Sequence, residues 1–128
     1  MSWSRPLVAA ALVEMLTTAT GGLVTVFDRP PPTFNPPAIV VARVESVSYG
    51  TAAMGRDEVT LPIVCVGAVD GDEDLDDMRA VVKAAIDDDV TLLGSVQAGW
   101  AVEERNWRQL SIAGGDVLAV DLMLTIQA

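Results

Sequence analysis

The clearest hydrophobic pattern in the chain is an alternation close to its C-terminus. Segment 117–127, VLAVDLMLTIQ, places apolar and polar side chains on opposite sides with the two-residue period of a β-strand. The inward face is predicted to carry Leu118, Val120, Leu122, Leu124 and Ile126, and the other face Asp121, Thr125 and Gln127. Segment 100–112, WAVEERNWRQLSI, precedes it after the glycine turn AGGD. Glycine permits positive φ in a tight turn, so the two segments are predicted to pair as a hairpin.

Two other segments have the helical period. The first has Ser4 as a candidate N-cap, Pro6 in its first turn and Gly21-Gly22 as its end. Its apolar face is predicted to consist of Leu7, Val8, Ala11, Leu12, Met15 and Leu16. The second helix follows an acidic stretch and reaches the DDD at 87–89, and its apolar face is predicted to consist of Leu75, Met78, Val82, Ala85 and Ile86.

The segments between these helices are rich in β-forming residues. A short strand is predicted at 23–27, followed by the stiff connector RPPPTFNPP, because proline cannot donate to a strand ladder. Segments 38–49 and 58–69 read as a long hairpin, with Pro62 marking a bulge or an unpaired edge position. Residues 1–128 are therefore expected to form one α+β domain: an antiparallel or mixed β-sheet of about five strands, with two helices packed on one face.

Composition removes several classes of function. The 128 residues carry a formal charge of −10, which argues against a surface for nucleic acid or anionic membranes. The single cysteine precludes an intramolecular disulfide and favours a reducing compartment. The absence of histidine excludes Ser–His, Cys–His and His-ligated zinc chemistry. The N-terminal run LVAAALVEML is too short to span a bilayer, no signal-cleavage site follows it, and it is predicted to be a helix of the mature protein.

The acidic stretch DGDEDLDD is the most conspicuous candidate site. Asp70, Asp72 and Asp74 match the first three ligand positions of a calcium-binding EF-hand loop. The pattern then fails, because Leu75 stands where glycine must turn and Val81 where a bidentate glutamate is required. Carboxylates in a first helical turn interact favourably with its free N–H groups. The stretch is therefore predicted to begin the second helix, with no metal site.

Three further features are candidates for a chemical role. Loop 50–57, GTAAMGRD, has P-loop glycine spacing, but Arg56 and Asp57 replace the required lysine and hydroxyl residue, which favours a hairpin loop. Cys65 lies in an apolar strand and is predicted to be a buried thiol. Trp100 and Trp107 lie on a strand with several arginines, a combination that fits either a protein interface or half-buried core. The sequence predicts no catalytic, cofactor-binding or metal-binding residue, and therefore no enzyme.

The whole order of elements resembles the tail terminator family of long-tailed bacteriophages, also called tail completion or minor tail proteins. The resemblance is carried by the helix ending in GG, the strand leading into RPPPTFNPPAIVV, the strand LPIVCVGAV, the helix DLDDMRAVVKAAI and the final hairpin RNWRQLSIAGGDVLAVDLMLTIQA. It implies a structural virion protein at the head-proximal end of the tail, made in the host cytoplasm. It also implies a homohexameric ring that caps the tail tube, stops its polymerisation and joins it to the head–tail connector.

The resemblance implies three protein partners: other copies of the chain, the tail-tube protein and the connector. DNA is expected only as unbound cargo in the pore, with no membrane and no cofactor. Candidate contact residues are Met54, Arg56, Arg105, Trp107 and Arg108, because a cation meeting a carboxylate of the next subunit offsets repulsion between acidic copies. The alternatives are a tail-tube or head-closure protein, and a small cytosolic ligand-binding or regulatory α+β domain.

Overall fold

The computed structural model describes residues 3–49, 57–68, 72–112 and 115–127. Within these ranges the chain forms two α-helices and six β-strands. In chain order the elements are α1 (Arg5–Ala19), β1 (Thr25–Phe27), β2 (Ala38–Val41), β3 (Ser46–Ser48), β4 (Glu58–Ala68), α2 (Asp72–Asp88), β5 (Ala98–Ile112) and β6 (Gly115–Gln127).

The strands form one sheet in the order β1-β2-β4-β6-β5, and β3 also pairs with β4. β1 runs parallel to β2, whereas the other neighbouring strands are antiparallel, so the sheet is mixed. The predicted α+β class is confirmed, but the sheet has six strands instead of about five. The extra strand arises because segment 38–49 is divided into β2 and β3.

The division lies opposite Pro62, where an irregularity was predicted. Ala42 donates its N–H to the carbonyl of Pro62 at 3.0 Å, and Glu45 donates to the carbonyl of Thr60 at 2.8 Å. The three residue steps from Ala42 to Glu45 therefore lie opposite the two residue steps from Pro62 to Thr60 on β4. This mismatch of one residue is a β-bulge. The N–H and C=O of a strand residue point to the same side, so the N–H that proline lacks faces this bulge, where the ladder is already interrupted.

Helix α1 begins and ends as predicted. The Oγ of Ser4 accepts the N–H of Leu7 at 3.3 Å, and Gly21 and Gly22 follow the helix with φ of +65° and +78°. Its buried face was predicted less well: Leu7 is 49% exposed, while Ala9 is buried. The helix is apolar almost all round, so its sequence specifies the orientation of its buried face weakly.

Helix α2 has the predicted apolar face. Leu75, Met78, Val82 and Ile86 are buried, and Ala85 is partly buried against the same core. The helix begins at Asp72, consistent with the acidic stretch forming its start. The side-chain roles predicted there fall on Asp70, Asp72 and Asp74, which lie outside the residues or side chains that the structure describes.

Strand β6 is the centre of the core. Val120, Leu122, Leu124 and Ile126 are buried beneath the two helices, and Leu118 is partly buried beside them. The opposite face is also covered, since Asp121 and Thr125 are only 7% and 8% exposed. Part of this cover comes from the proline-rich connector, whose Phe34 packs on the buried cluster of Val66, Val117 and Ala119.

Candidate assembly surface

The outer edge of β5 is the most unusual surface of the molecule. In the described ranges β5 pairs with no strand other than β6 and so forms an edge of the sheet. At one point along this edge, the N–H of Gly99 donates to the carbonyl of Val90 at 2.7 Å. Three large apolar side chains on this strand are exposed: Trp100 by 37%, Val102 by 57% and Trp107 by 53%. An edge strand that exposes several large apolar side chains is a candidate interaction surface.

Two bulges shape this edge. The pairing of β5 with β6 slips between Ala101 and Glu103 and again between Arg105 and Arg108. Val102 and Trp107 lie inside these irregular segments. A bulge bends its strand and redirects side chains, so both exposed residues owe their direction to the local irregularity.

The second bulge is held by a buried carboxylate. Asn106 adopts φ of +59°, a left-handed conformation that asparagine tolerates better than most residues. Its Nδ2 donates to Asp121 at 3.0 Å, and Arg108 donates to the other carboxylate oxygen of Asp121 at 3.0 Å. Arg108 also donates to the backbone carbonyl of Asn106 at 2.6 Å. The bulge is therefore tied to the centre of the sheet.

Arg79 of α2 holds Trp107 from the helical side. Its guanidinium carbon lies 5.0 Å from the centroid of the Trp107 ring, within cation–π range. The same guanidinium donates to Asp76 at 2.6 Å and to Glu104 at 2.5 Å. The hydrogen bond to Asp76, helped by Glu104, raises the pKa of Arg79 above its ordinary value. Trp107 is thus presented on a preorganised charged support.

A groove of about 500 Å³ runs beside this support, between α2 and β5. Its base is apolar and its rim is charged, and its lining residues are Leu75, Asp76, Trp107, Arg108, Leu118 and Ala119. This is the chemistry of a protein contact, with an apolar floor inside a polar border.

Residues 6–124 match the profile of a protein family described as "Tail completion protein gp17". The chain belongs to this family. As a tail completion protein it is a structural component of a bacteriophage tail and part of the virion. The resemblance read from the sequence is thereby confirmed.

The comparison of this tail completion protein with solved structures finds a more distant similarity. A chain of a solved structure titled "Virion of native gene transfer agent (GTA) particle" is similar at 13% identity with a TM-score of 0.45. The match covers 93% of this chain and 92% of that one. At this score the likeness supports no argument about function. The comparison with curated proteins finds no match.

Of the predicted contact residues, Arg105, Trp107 and Arg108 lie on β5, where Trp107 contacts Arg79 of α2 and Arg108 contacts Asp121 of β6. Met54 and Arg56 lie outside the described residues. Arg105 forms ion pairs with Glu45 and, at 3.5 Å, with Glu103. The hydrogen bond to Glu45 raises the pKa of Arg105.

Within the tail completion protein, both β5 arginines therefore have carboxylate partners. That they meet a carboxylate of another subunit stays a prediction, and their internal pairing leaves them less free charge for such a contact. Trp107 remains 53% exposed despite its contact with Arg79, so it is the strongest of the three candidates.

Sequence reasoning missed three residues that organise this surface: Arg79, Glu104 and Asp121. One signal was present, because Asp121 is a carboxylate in the middle of the most apolar strand, and a buried charge requires a partner. The contact of Arg79 with Trp107 had no signal, since it joins a helix to a strand 28 positions away.

The remaining candidates show no reactive geometry. Cys65 is buried, as predicted, and burial, with a smaller contribution from Glu104, raises the pKa of its thiol to about 12. Over the described part of the chain, no three carboxylate or cysteine groups lie together as metal ligands would. No described helix has the length and apolarity to cross a membrane.

Proposed function

We propose that this tail completion protein is the tail terminator, which works mechanically and not as an enzyme. Six copies form a ring on the last ring of the tail tube and stop tube polymerisation. The other side of the ring meets the head–tail connector. Family membership supports the setting, and the observation that carries the proposal is the bulged outer edge of β5 with its three exposed apolar side chains.

The chemistry of this edge suits contact with protein. Tryptophan is enriched at the centres of interfaces because it removes a large apolar area from water on binding. The nearby arginines Arg79, Arg105 and Arg108 are already paired with carboxylates inside the chain. They therefore have less free charge with which to attract phosphate, and their pairing favours a protein partner over DNA.

The charge of the chain fits a passage for DNA. Each copy carries −10 at neutral pH, so a six-membered ring would carry about −60. An acidic wall repels phosphate and prevents DNA from sticking as it passes. The same repulsion opposes assembly, so moderate salt, which screens charges beyond about 8–10 Å, should shift the equilibrium towards the ring.

The test is assembly of the purified protein with and without tail-tube protein. Light scattering and negative-stain imaging should show a hexameric ring that is favoured by moderate salt or by added tube protein. Tube polymers should become shorter as the protein is added. Trp107→Ala should weaken both effects, whereas Tyr49→Ala, an aromatic that is 79% exposed but not on β5, should leave them unchanged.

Two results together would refute the proposal. One is a protein that stays monomeric at high concentration across the whole salt range. The other is a tube-length distribution that does not change when the two proteins are mixed.

A further inference from the structure

We infer that the ring is built by docking the β5 edge of one copy against the α1–β1 edge of the next. This inference rests on the proposed ring function and specifies the two surfaces that would make it. Closed rings larger than dimers use a heterologous interface, in which each copy contributes two different, complementary surfaces. The two ends of this sheet supply such a pair.

The two edges lie at the same height on the sheet. Following the strand register inward from β1, Phe27 pairs with Val40, which pairs with Val64, Asp121 and finally Arg105 on β5. In the same way, Thr25 leads through Ala38, Val66 and Ala119 to Arg108. The bulge that presents Trp107 therefore lies level with Val26. Head-to-tail contact between two different edges generates a ring when the rotation per copy closes, and level edges keep the offset along the strand direction small.

The two edges also offer an apolar side chain and an apolar groove. A groove of about 410 Å³ lies between α1 and β1, lined by Ala10, Val13, Val26, Phe27 and Asp28. It is mainly apolar and opens at the far side of the sheet from β5. Trp107 projects near α2, so it and the groove both lie on the face of the sheet that carries the helices. An exposed indole on one edge and an apolar groove on the other fit as anchor and pocket.

The N-terminal third of the chain and the rest of the chain differ in net charge, and this difference favours the proposed contact. Residues 1–43, a segment that includes α1, β1, the connector and β2, contain three arginines and two carboxylates, for a net charge of +1. Residues 44–128 contain five basic and sixteen acidic residues, for a net charge of −11. Strand β5 itself is neutral, with two glutamates and two arginines, and the negative charge on its side of the sheet comes from α2, which carries seven acidic and two basic residues. Docking this side of one copy on the α1–β1 side of the next brings an acidic helix towards a segment of net charge +1.

Two of the three arginines in residues 1–43 are available for such a contact. Arg43 is exposed and has no hydrogen-bond or ion-pair partner among the described residues. The side chain of Arg29 is 77% exposed and, within the described part of the chain, pairs with the neighbouring Asp28 at 3.4 Å. Arg5 instead donates to the backbone carbonyls of Asp28, Val41 and Ala42, and so bridges separate segments as the arginines around β5 do.

The bulges indicate how the edges meet. A continuous ladder between subunits requires a regular outer edge, and β5 is irregular in two places. β1 is only three residues long. The contact is therefore made chiefly by side chains, with Trp107 in the groove, and the bulges discourage indefinite edge-to-edge pairing.

Two variants test this arrangement, each disabling one edge. Trp107→Ala removes the anchor, and Ala10→Glu places a carboxylate in the groove. Trp107→Ala keeps an intact α1–β1 edge, and Ala10→Glu keeps an intact β5 edge. In a head-to-tail contact these two intact edges can still dock on each other. Each variant alone should be monomeric at concentrations where the parent forms rings, with an assembly midpoint at least about tenfold higher. An equimolar mixture should form mixed dimers of about twice 13.5 kDa that grow no further, as seen by native mass spectrometry.

Ala84→Glu is the matched control. Ala84 is an exposed alanine of α2, and its substitution places a carboxylate four residues before Asp88, just as Ala10→Glu places one four residues before Glu14. This control should form rings like the parent. All variants should keep the parent's circular dichroism spectrum.

The alternative outcomes separate this inference from the proposed function. If the parent forms rings and either variant assembles at the parent's midpoint, the ring uses other surfaces, and only the inference falls. Two monomeric variants whose mixture yields no mixed dimer would also overturn the pairing of these edges. A parent that neither assembles nor alters tube length would overturn the proposed function, and the inference with it.

Discussion

Strands β5 and β6 are partners in one hairpin, yet they are built in opposite ways. β6 pairs with β4 through an unbroken register of eleven residue pairs, from Glu58 with Gln127 to Ala68 with Val117. Eight consecutive residues of β6, from Ala119 to Ile126, are buried. β5 has two bulges, one residue in a left-handed conformation and three exposed apolar side chains.

The difference shows where regularity is needed. A strand that is covered on both faces must satisfy its backbone groups through its neighbours, because water cannot reach them. β6 therefore tolerates little irregularity. An edge strand can bulge because its outer groups face solvent, and β5 uses the bulges to aim side chains outward. Asp121 connects the two, since it lies on the regular strand and holds the irregular one.

The largest expected effect comes from placing a charge in the regular strand. Leu122→Asp puts an unpaired carboxylate at a position that is 2% exposed, and should cost about 4 kcal/mol or more, enough to prevent folding. Val102→Asp, at a position on β5 that is 57% exposed, should change the melting temperature little. Thermal melts followed by circular dichroism measure both. A soluble Leu122→Asp protein with the parent's melting temperature would show that this face of β6 is not core.

A smaller loss is expected from breaking the link between the strands. Arg108→Ala leaves the carboxylate of Asp121 with one side-chain donor among the described residues, Asn106, and should lower the free energy of unfolding by about 1–3 kcal/mol. The lower end is expected, because a third of the Arg108 side chain is exposed. Lys83→Ala, which breaks an exposed helical pair with Asp87, is the control and should cost about 0.5 kcal/mol or less. Urea titrations with equal losses for the two variants would contradict a special role for Arg108.

Alkaline pH should reveal burial of the regular strands. Cys65 on β4 faces Val120 of β6, and its thiol pKa is raised from 9.0 to about 12. Between these values the unfolded chain has lost the thiol proton while the native chain keeps it. The free energy of unfolding should therefore fall as pH rises above 9, by up to about 1.4 kcal/mol per pH unit from this group.

Cys65→Ala provides the comparison for this pH effect. The variant should be less dependent on pH between 9 and 12 than the parent, and the two should have the same pH dependence below 9, in denaturant titrations over the range. Identical alkaline profiles would mean that the thiol ionises as readily in the native state as in the unfolded chain.

The smallest expected effect isolates the backbone of the β5 bulge. Asn106→Gly and Asn106→Ala both remove the hydrogen bond to Asp121, but only glycine adopts φ of +59° without strain. The glycine variant should therefore be more stable than the alanine variant by about 1 kcal/mol, as measured by chemical denaturation. An alanine variant as stable as the glycine variant would show that the bulge relaxes to another conformation.

The contrast between β5 and β6 also explains which features of these strands can be predicted from the sequence. The alternation along β6 predicted its inward face correctly, because a strand's side-chain direction follows directly from residue number. Along β5 the alternation is broken by the bulges, so the sequence left Trp107 open between core and interface. The division of segment 38–49 was missed in the same way, although Pro62 pointed to an irregularity there.

By itself, the sequence determined the elements that depend on near neighbours: the capped helix α1, the apolar face of α2, the paired strands at the C-terminus and an acidic chain without histidine. It also carried enough family resemblance to indicate a tail protein. Only the tertiary structure decided that both faces of β6 are covered, that Arg79 supports Trp107, and that Asp121 holds the bulge. These features depend on contacts between segments far apart in the chain, and such contacts leave no periodic trace in the sequence because neither partner specifies the other locally.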